Sequence, residues 1–327
     1  MPTVFLTGAT GFVGHQVARA LVDEGWNVRA LVRGDASRLE RLGKLPLVPV
    51  QGDLSRGADL STALAGCDAI VHVAGVVKAR TLDEYREGNA RATERLVEWG
   101  ARICPNARFV LVSSQAAAGP ARDGRPLTEL DPPQPVSWYG ISKREGEEAV
   151  ARGWKGLWLV IRPAVVYGPG DRALLVMFRS AAKGLLPVPA GRSRVQIIFA
   201  ERAGLAIAKA AGSRSIAGRT SFLCDPIPIT IRELCAAIAR LRNPPARLLP
   251  IPNLILRAAG LLETLNEAAT RRSRPFNADK AREILAGDWL CDGLPLRQDL
   301  NLPAPVPLED GLAQTWQWYQ ERGWLVL

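Results

Sequence analysis

The chain has 327 residues, 47% hydrophobic and 23% charged, the balance of a folded globular protein rather than a disordered or fibrous one; the length suits one large α/β unit or two coupled domains. The net charge of +10 is spread along the chain, with Arg often beside Glu as in "REGEEAVARG", and no nucleic-acid-binding motif accompanies it, so the expectation is a basic solvated surface with no nucleic-acid partner. Five scattered cysteines without a CxxC pair, two histidines, no basic-then-apolar leader and no uninterrupted apolar run of about 18 residues predict no metal site, reduced thiols and a cytoplasmic location.

The first half alternates regularly. Residues 3–7 (TVFLT) predict a buried strand, 15–25 (HQVARALVDEG) an amphipathic helix ending at Gly25, 27–32 (NVRALV) a second strand and 36–44 (ASRLERLGK) a helix. Segments 47–53, 61–67, 69–75, 90–103 and 108–114 continue the alternation. Strand, helix, strand at this pitch predicts an α/β fold: a doubly wound parallel sheet with helices on both faces. After about residue 168 Pro and Gly punctuate "YGPGDRALL" and "LLPVPAGRSR", and short strands precede helices such as "TIRELCAAIARL". The chain therefore divides into a dinucleotide-binding unit at 1–168, rejoined by about 195–225, and a smaller mixed α/β substrate-binding region at 169–194 and 226–327.

"TGATGFVGHQ" places Gly8, Gly11 and Gly14 three apart between a predicted strand and a predicted helix, the setting that makes such a motif informative. Gly8 permits a tight turn, Gly11 lets backbone N–H groups reach a pyrophosphate, and Gly14 lets the helix pack close with its positive end toward the phosphates. This predicts a Rossmann-type dinucleotide site. At the end of the second strand an acidic residue would bond the ribose of NAD; this chain has Arg33, with Arg38 nearby, so NADP(H) is preferred and NAD(H) is the alternative. Arg33 as a solvated surface residue stacking on adenine is the competing reading. Asp53 is placed to accept from the adenine amino group or to act only as a cap.

"SWYGISKREGEEAV" carries Tyr139 and Lys143 four apart, on one helical face. A neighbouring ammonium favours the phenolate and is expected to pull the Tyr139 pKa down from its ordinary value near 10, making the hydroxyl a proton shuttle. Upstream, "RFVLVSSQAAAG" ends a strand in Ser113 and Ser114, either of which would hold a substrate oxygen beside Tyr139.

In this order, TGATGFVG, the GD pair, "HVAG", SS, YxxxK and "RPAVVYGPGD" resemble the extended short-chain dehydrogenase/reductase superfamily, over the whole chain. The resemblance implies Tyr139 as catalytic acid or base, Lys143 as its partner, Ser114 as the catalytic serine with Ser113 as an alternative, and Asn89 in "YREGNARATERL" as a helix asparagine near the site or an ordinary helix residue. It further implies cofactor contacts from Gly8, Thr10, Gly11, Phe12, Val13, Gly14, Asp53, Leu54, Ala74, Gly75, Tyr139, Lys143, Pro163 after Arg162, and Val166. Members often carry an aspartate pair where this chain reads "IIFAERAG", so the usual polar anchor of that loop is missing. A homodimer through the helices holding Asn89 and Tyr139 is also implied.

The C-terminal region is apolar where sugar-nucleotide epimerases and dehydratases of this scaffold need polar groups: "GLLPVP", then "LLPIPNLILRAAGLLETL". Leu254, Ala258, Leu261, Leu262 and Leu265 fall on one helical face, with Arg271, Arg272 and Arg274 following. Such a stripe either packs on the domain or, over about 248–274, touches an anionic membrane surface peripherally, at its inner face. With "DWLCDG" and "LEDGLAQTWQWYQERGWL", the layout looks like the 3β-hydroxysteroid dehydrogenase-like branch, including sterol- and lipid-directed oxidoreductases. The implied activity is Tyr/Lys/Ser-assisted hydride transfer at a hydroxyl or ketone of a hydrophobic sterol- or lipid-like substrate, with loss of CO₂ where a β-keto acid forms. A nucleotide-sugar epimerase or dehydratase and a non-catalytic dinucleotide-binding subunit are the alternatives.

Overall fold

A computed structural model describes residues 1–34, 45–54, 58–270 and 276–325, the side chain of Ala268 excepted. The helix expected over 36–44, Arg38, and the arginines Arg271, Arg272 and Arg274 lie outside the described residues.

Six strands run through the first half: β1 (Thr3–Thr7), β2 (Asn27–Val32), β3 (Leu47–Gln51), β4 (Ala69–His72), β5 (Arg108–Val112) and β6 (Trp158–Pro163). With the later strand Arg219–Leu223 they form a seven-stranded sheet in the order Arg219–Leu223, β6, β5, β4, β1, β2, β3. Each described neighbour pair is parallel. Side-chain alternation between two covered faces explains why the inner strands are mostly apolar. Val4, Leu6, Val71, Val110 and Ile161 face a core shared with Val17 and Leu21 of α1 (Phe12–Asp23) and with the alanine-rich helix Ala200–Gly212. Phe5, Ile70, Phe109, Leu111 and Val160 face the opposite core. Helices α2 (Ser61–Leu64), α4 (Ala92–Ile103) and α5 (Trp138–Gly153) cover that side, through Leu64, Leu96 and Val150.

Several boundaries differ from expectation. Helix α1 starts at Phe12 rather than His15, because Gly11 takes an extended backbone and serves as its N-cap. The helix expected at 90 begins as α3 (Leu82–Arg86), where the Thr81 side chain accepts from the Glu84 amide at 3.2 Å. A five-residue π-turn, Glu87–Arg91, joins α3 to α4. Strands β3 and β4 stop at Gln51 and His72, leaving Asp53 and Gly75 in the loops beyond.

The C-terminal region has its own core, built on Phe178, Leu234, Ile238, Trp316 and Tyr319. Where the family's aspartate pair is missing, the strand Ile197–Phe199 pairs in parallel with Val165–Tyr167, so backbone hydrogen bonds and buried apolar side chains anchor that loop. In the helix Asn253–Thr270 the expected stripe does share one face, and Leu254, Ala258, Leu261, Leu262 and Leu265 are all exposed on it.

Candidate active site

The C-terminal ends of β1 and β4 meet at the glycine turn. Gly8 has φ +80°, and a Cβ there would lie 2.6 Å from the Ala74 backbone nitrogen. A Cβ on Gly14 would lie 1.9 Å from the Gly8 carbonyl oxygen, so only glycine lets α1 begin this close to the turn. No side chain caps α1 and its first turn holds no acidic residue. Its first backbone N–H groups are thus oriented for an anion, beside the exposed Thr10 and Gly11 and the half-buried Phe12 and Val13. The structure fits the pyrophosphate of a dinucleotide at this cradle.

Arg33 is exposed just past β2 and lines one cleft with Gly34, Gln51, Gly52, Asp53 and Ala58. Leu54 is buried next to it. Arg33 and Asp53, twenty residues apart, are brought together because β2 and β3 are parallel neighbours ending on the same side.

The second cluster forms where β5 runs into the N-terminus of α5. A Cβ on Gly140 would lie 2.3 Å from the Ala116 carbonyl oxygen, which lets α5 approach the turn after Ser114 and brings Tyr139 to it. The Ser114 hydroxyl is hydrogen-bonded to Tyr139, and its oxygen accepts from the Ala116 amide at 3.1 Å. Ser113, the alternative serine, points elsewhere: its hydroxyl donates to Glu147 Oε1 at 2.6 Å, and Glu147 is held by Arg162 Nε at 2.8 Å and a second guanidinium nitrogen at 2.6 Å. Lys143 Nζ donates to the Val112 carbonyl at 2.7 Å and would lie 3.7 Å from a Cβ on Gly75. Pro163 ends β6, buried, and Val166 lies in the next short strand, half-buried.

One electrostatic expectation is corrected. Burial pushes the Tyr139 phenol up, to about 12, with only the Ser114 hydrogen bond opposing it and with Glu283 and Tyr85 adding to it. Lys143 does not draw it down: its ammonium faces the Val112 carbonyl, and burial, partly offset by Glu147, lowers its own pKa to about 8. Without the cofactor, desolvation of both charged forms outweighs attraction between them.

Asn89, expected near the site, and several residues that the sequence did not single out hold this frame. Asn89, buried in the π-turn, accepts from the Val76 amide at 2.7 Å and donates to the Val76 carbonyl at 3.0 Å and to Ser142 Oγ at 2.8 Å. Its amide therefore pins the loop after Gly75 to α5, a tie across the fold and not to a local helix carbonyl. Thr93 donates to the Asn89 carbonyl at 2.7 Å, so it receives the Nε2 proton of His72 at 3.1 Å, and His72 Nδ1 accepts from Thr7 Oγ1 at 2.6 Å. That fixes a neutral imidazole, whose pKa burial and Lys143 lower to about 3. Asp279, in the helix Ala278–Ile284, accepts the Trp138 amide with both oxygens at 3.0 Å. The five cysteines are buried free thiols, and among the described residues no group of His, Cys, Asp and Glu is arranged to hold a metal.

The chain matches the NAD dependent epimerase/dehydratase family over residues 4–215. It is 34% identical to a ceramide reductase from Caulobacter vibrioides, covering 98% of this chain and 96% of that one. It is 30% identical to a 4-hydroxy-2-methyl-3-oxo-4-farnesyl-3,4-dihydroquinoline-1-oxide ketoreductase from Stigmatella aurantiaca, covering 94% of each. Among solved structures, UDP-glucose 4-epimerase from Thermotoga maritima superposes with a TM-score of 0.77 at 18% identity, over 98% of this chain and 99% of that one, which shows the shared fold.

Proposed function

Since the chain belongs to the NAD dependent epimerase/dehydratase family and is an NAD(P)-dependent oxidoreductase of the extended short-chain dehydrogenase type, we propose that it reduces a ketone on a long-chain, ceramide-like lipid, with NADP(H) preferred over NAD(H). The Ser114–Tyr139 pair carries this reading: a phenol kept protonated, hydrogen-bonded to a serine at the end of β5, is an acid poised for a carbonyl oxygen.

When bound, the nicotinamide dinucleotide supplies the hydride. Gly8, Gly11, Gly14 and the first amides of α1, with Thr10, Phe12 and Val13, hold its pyrophosphate. Arg33 pairs with a 2′-phosphate and Asp53, with Leu54 beside it, takes the adenine end. Ala74, Gly75, Pro163 and Val166 border the nicotinamide end. Ser114 Oγ orients the substrate carbonyl oxygen, and Tyr139 Oη gives that oxygen its proton. Lys143, 3.7 Å from where a Cβ on Gly75 would sit, holds the ribose side and supports the phenolate left after transfer. Asn89 acts as a positioning residue through Val76 and Ser142. A homodimer through the outer sides of α4 and α5 belongs to the same reading.

The names of the two relatives, a ceramide reductase and a ketoreductase of a farnesylated quinoline oxide, support carbonyl reduction on a molecule with a long apolar part. The test is NADPH and NADH oxidation with an oxo-ceramide and, separately, epimerisation of UDP-glucose, each with Tyr139→Phe as control. Tyr139-dependent turnover of the oxo-lipid is expected. Tyr139-dependent turnover of UDP-glucose with none of the oxo-lipid would put the epimerase reading in its place, and cofactor binding without turnover of either would favour a non-catalytic subunit.

A further inference from the structure

The helix Asn253–Thr270 is turned inside out relative to an ordinary surface helix. Leu254 is 76% exposed, Leu261 59%, Leu262 66% and Leu265 67%. Ile255, Ala258 and Ala269 share that open side. Glu267, Thr264 and Gly260 contact the next helix instead. Glu267 is buried and takes the Asn277 amide at 3.2 Å, Thr264 Oγ1 accepts from the Ala278 backbone nitrogen at 2.9 Å, and a Cβ on Gly260 would sit 2.8 Å from that of Ala281. Rotating the helix to bury its leucines would break these contacts, so the exposed apolar face is a built feature.

The ribbon that leads into the helix is exposed as well. Leu185–Pro189 and Arg247–Ile251 pair in parallel, with Leu185 opposite Arg247 and Pro187 opposite Leu249. Leu185, Pro187 and Leu249 are exposed on it, as are Pro250 and Pro252, which lead into the helix. Isolated exposed leucines are ordinary, but four exposed leucines along one helical face, with further exposed apolar residues leading into it, mark an interface.

We propose that this face docks on an anionic lipid surface, with the helix lying in the plane of the headgroups. Charge selects that occupant. Arg247 and Arg257 are exposed beside the leucines, while the acids of the helix, Glu263 and Glu267, are half-buried and buried on its inner side. A second copy would set these arginines against their own kind on a chain of net charge +10, whereas anionic headgroups complement them. Eighteen residues make a helix of about 27 Å, and among the described residues no helix is long and apolar enough to cross a membrane. The helix packs on Ala278–Ile284, whose Asp279 holds the start of α5, so docking brings the Tyr139 end of α5 toward the lipid. The docking proposal stands independently of which substrate is used.

Flotation with phosphatidylcholine vesicles, with and without phosphatidylglycerol, tests it on the full chain. The protein is expected to float with the anionic vesicles, to be released by high salt, and to lose binding at least about tenfold in Leu261→Glu/Leu265→Glu, two charges placed in the apolar contact. Arg257→Glu should weaken flotation on anionic vesicles alone. Unchanged thermal unfolding and NADPH binding establish that the variants are folded. A wild-type protein that stays in the soluble fraction with every vesicle overturns the proposal, as do variants that float like wild type. A fall in oligomer size in the leucine double variant, read by light scattering without lipid, overturns it in favour of contact between copies.

Discussion

The carboxylate of Asp279 lies 3.0 Å from the Trp138 backbone nitrogen through each of its oxygens, one residue before Tyr139 and 141 positions away in sequence. A C-terminal helix thereby caps the helix that carries Tyr139, in addition to Ser137, whose Oγ accepts from the Gly140 amide at 3.0 Å. Asp279→Ala is expected to cost about 1–2 kcal/mol in chemical denaturation, as for the loss of a helix cap. It should also lower kcat more than it raises KM, because the start of α5 moves. Asp279→Asn, which keeps one acceptor, should recover most of both; unchanged stability in Asp279→Ala would mean the carboxylate does not cap.

Gly140→Ala tests the approach of α5 to the turn after Ser114. Its Cβ would sit 2.3 Å from the Ala116 oxygen, a backbone atom that can yield only by moving the helix or the turn. A loss of about 1–3 kcal/mol in stability is expected from such overpacking, with activity falling further than cofactor affinity. Full activity in Gly140→Ala would show that Tyr139 does not depend on this contact.

For Tyr139 and Lys143 the directions of their pKa shifts make separate predictions. Tyr139→Phe should reduce kcat by about 10²–10⁴ while leaving cofactor binding intact. The Lys143 pKa is lowered from 10.5 to about 8 in the folded chain, so above pH 8 the folded state releases this proton while the unfolded chain still holds it. Stability of the cofactor-free protein from this group therefore rises as pH increases between about 8 and 10.5. Lys143→Met should be inactive yet lack that rise; a variant that keeps the wild-type slope would place the titration elsewhere.

His72 works in the acid range. Its imidazole stays neutral down to about 3, against an ordinary 6.5, so below pH 6.5 the unfolded chain binds a proton the folded one refuses. Stability falls with pH through that window, by up to about 1.4 kcal/mol per pH unit for one proton. Denaturation of His72→Gln across the same range should show a shallower decline than wild type, and an identical decline would exclude His72 as its source.

Arg33 decides between cofactors. Calorimetric titration should give tighter binding of NADPH than NADH, with Arg33→Ala losing affinity for NADPH by tenfold or more, about 1.4 kcal/mol, and leaving NADH nearly unchanged. Equal losses for both would make Arg33 an adenine-stacking residue instead.

The sheet and the position of the dinucleotide cradle are legible in the residues alone, because both depend on local rules. Runs such as Val4–Leu6 and Phe109–Val112 are apolar on both sides of the backbone, and that alone specifies a strand covered on two faces. Gly8 and Gly14 mark a turn that no larger residue permits, with Gly11 between them at the cap of α1. Tyr139 and Lys143 share a helical face at four-residue spacing, legible for the same reason. Relationships between segments with no sequence period in common required the folded chain. Ser113 and Ser114 are chemically alike and adjacent, yet the first turns to Glu147 and the second to Tyr139, because strand pleating sends neighbouring side chains to opposite faces. Burial, and not the neighbouring ammonium, sets the Tyr139 pKa, since desolvation depends on what covers a group in space. The leucine stripe of Asn253–Thr270 was visible as a stripe; its outward orientation followed from where Glu267 and Thr264 found partners on the next helix, Asn277 and Ala278.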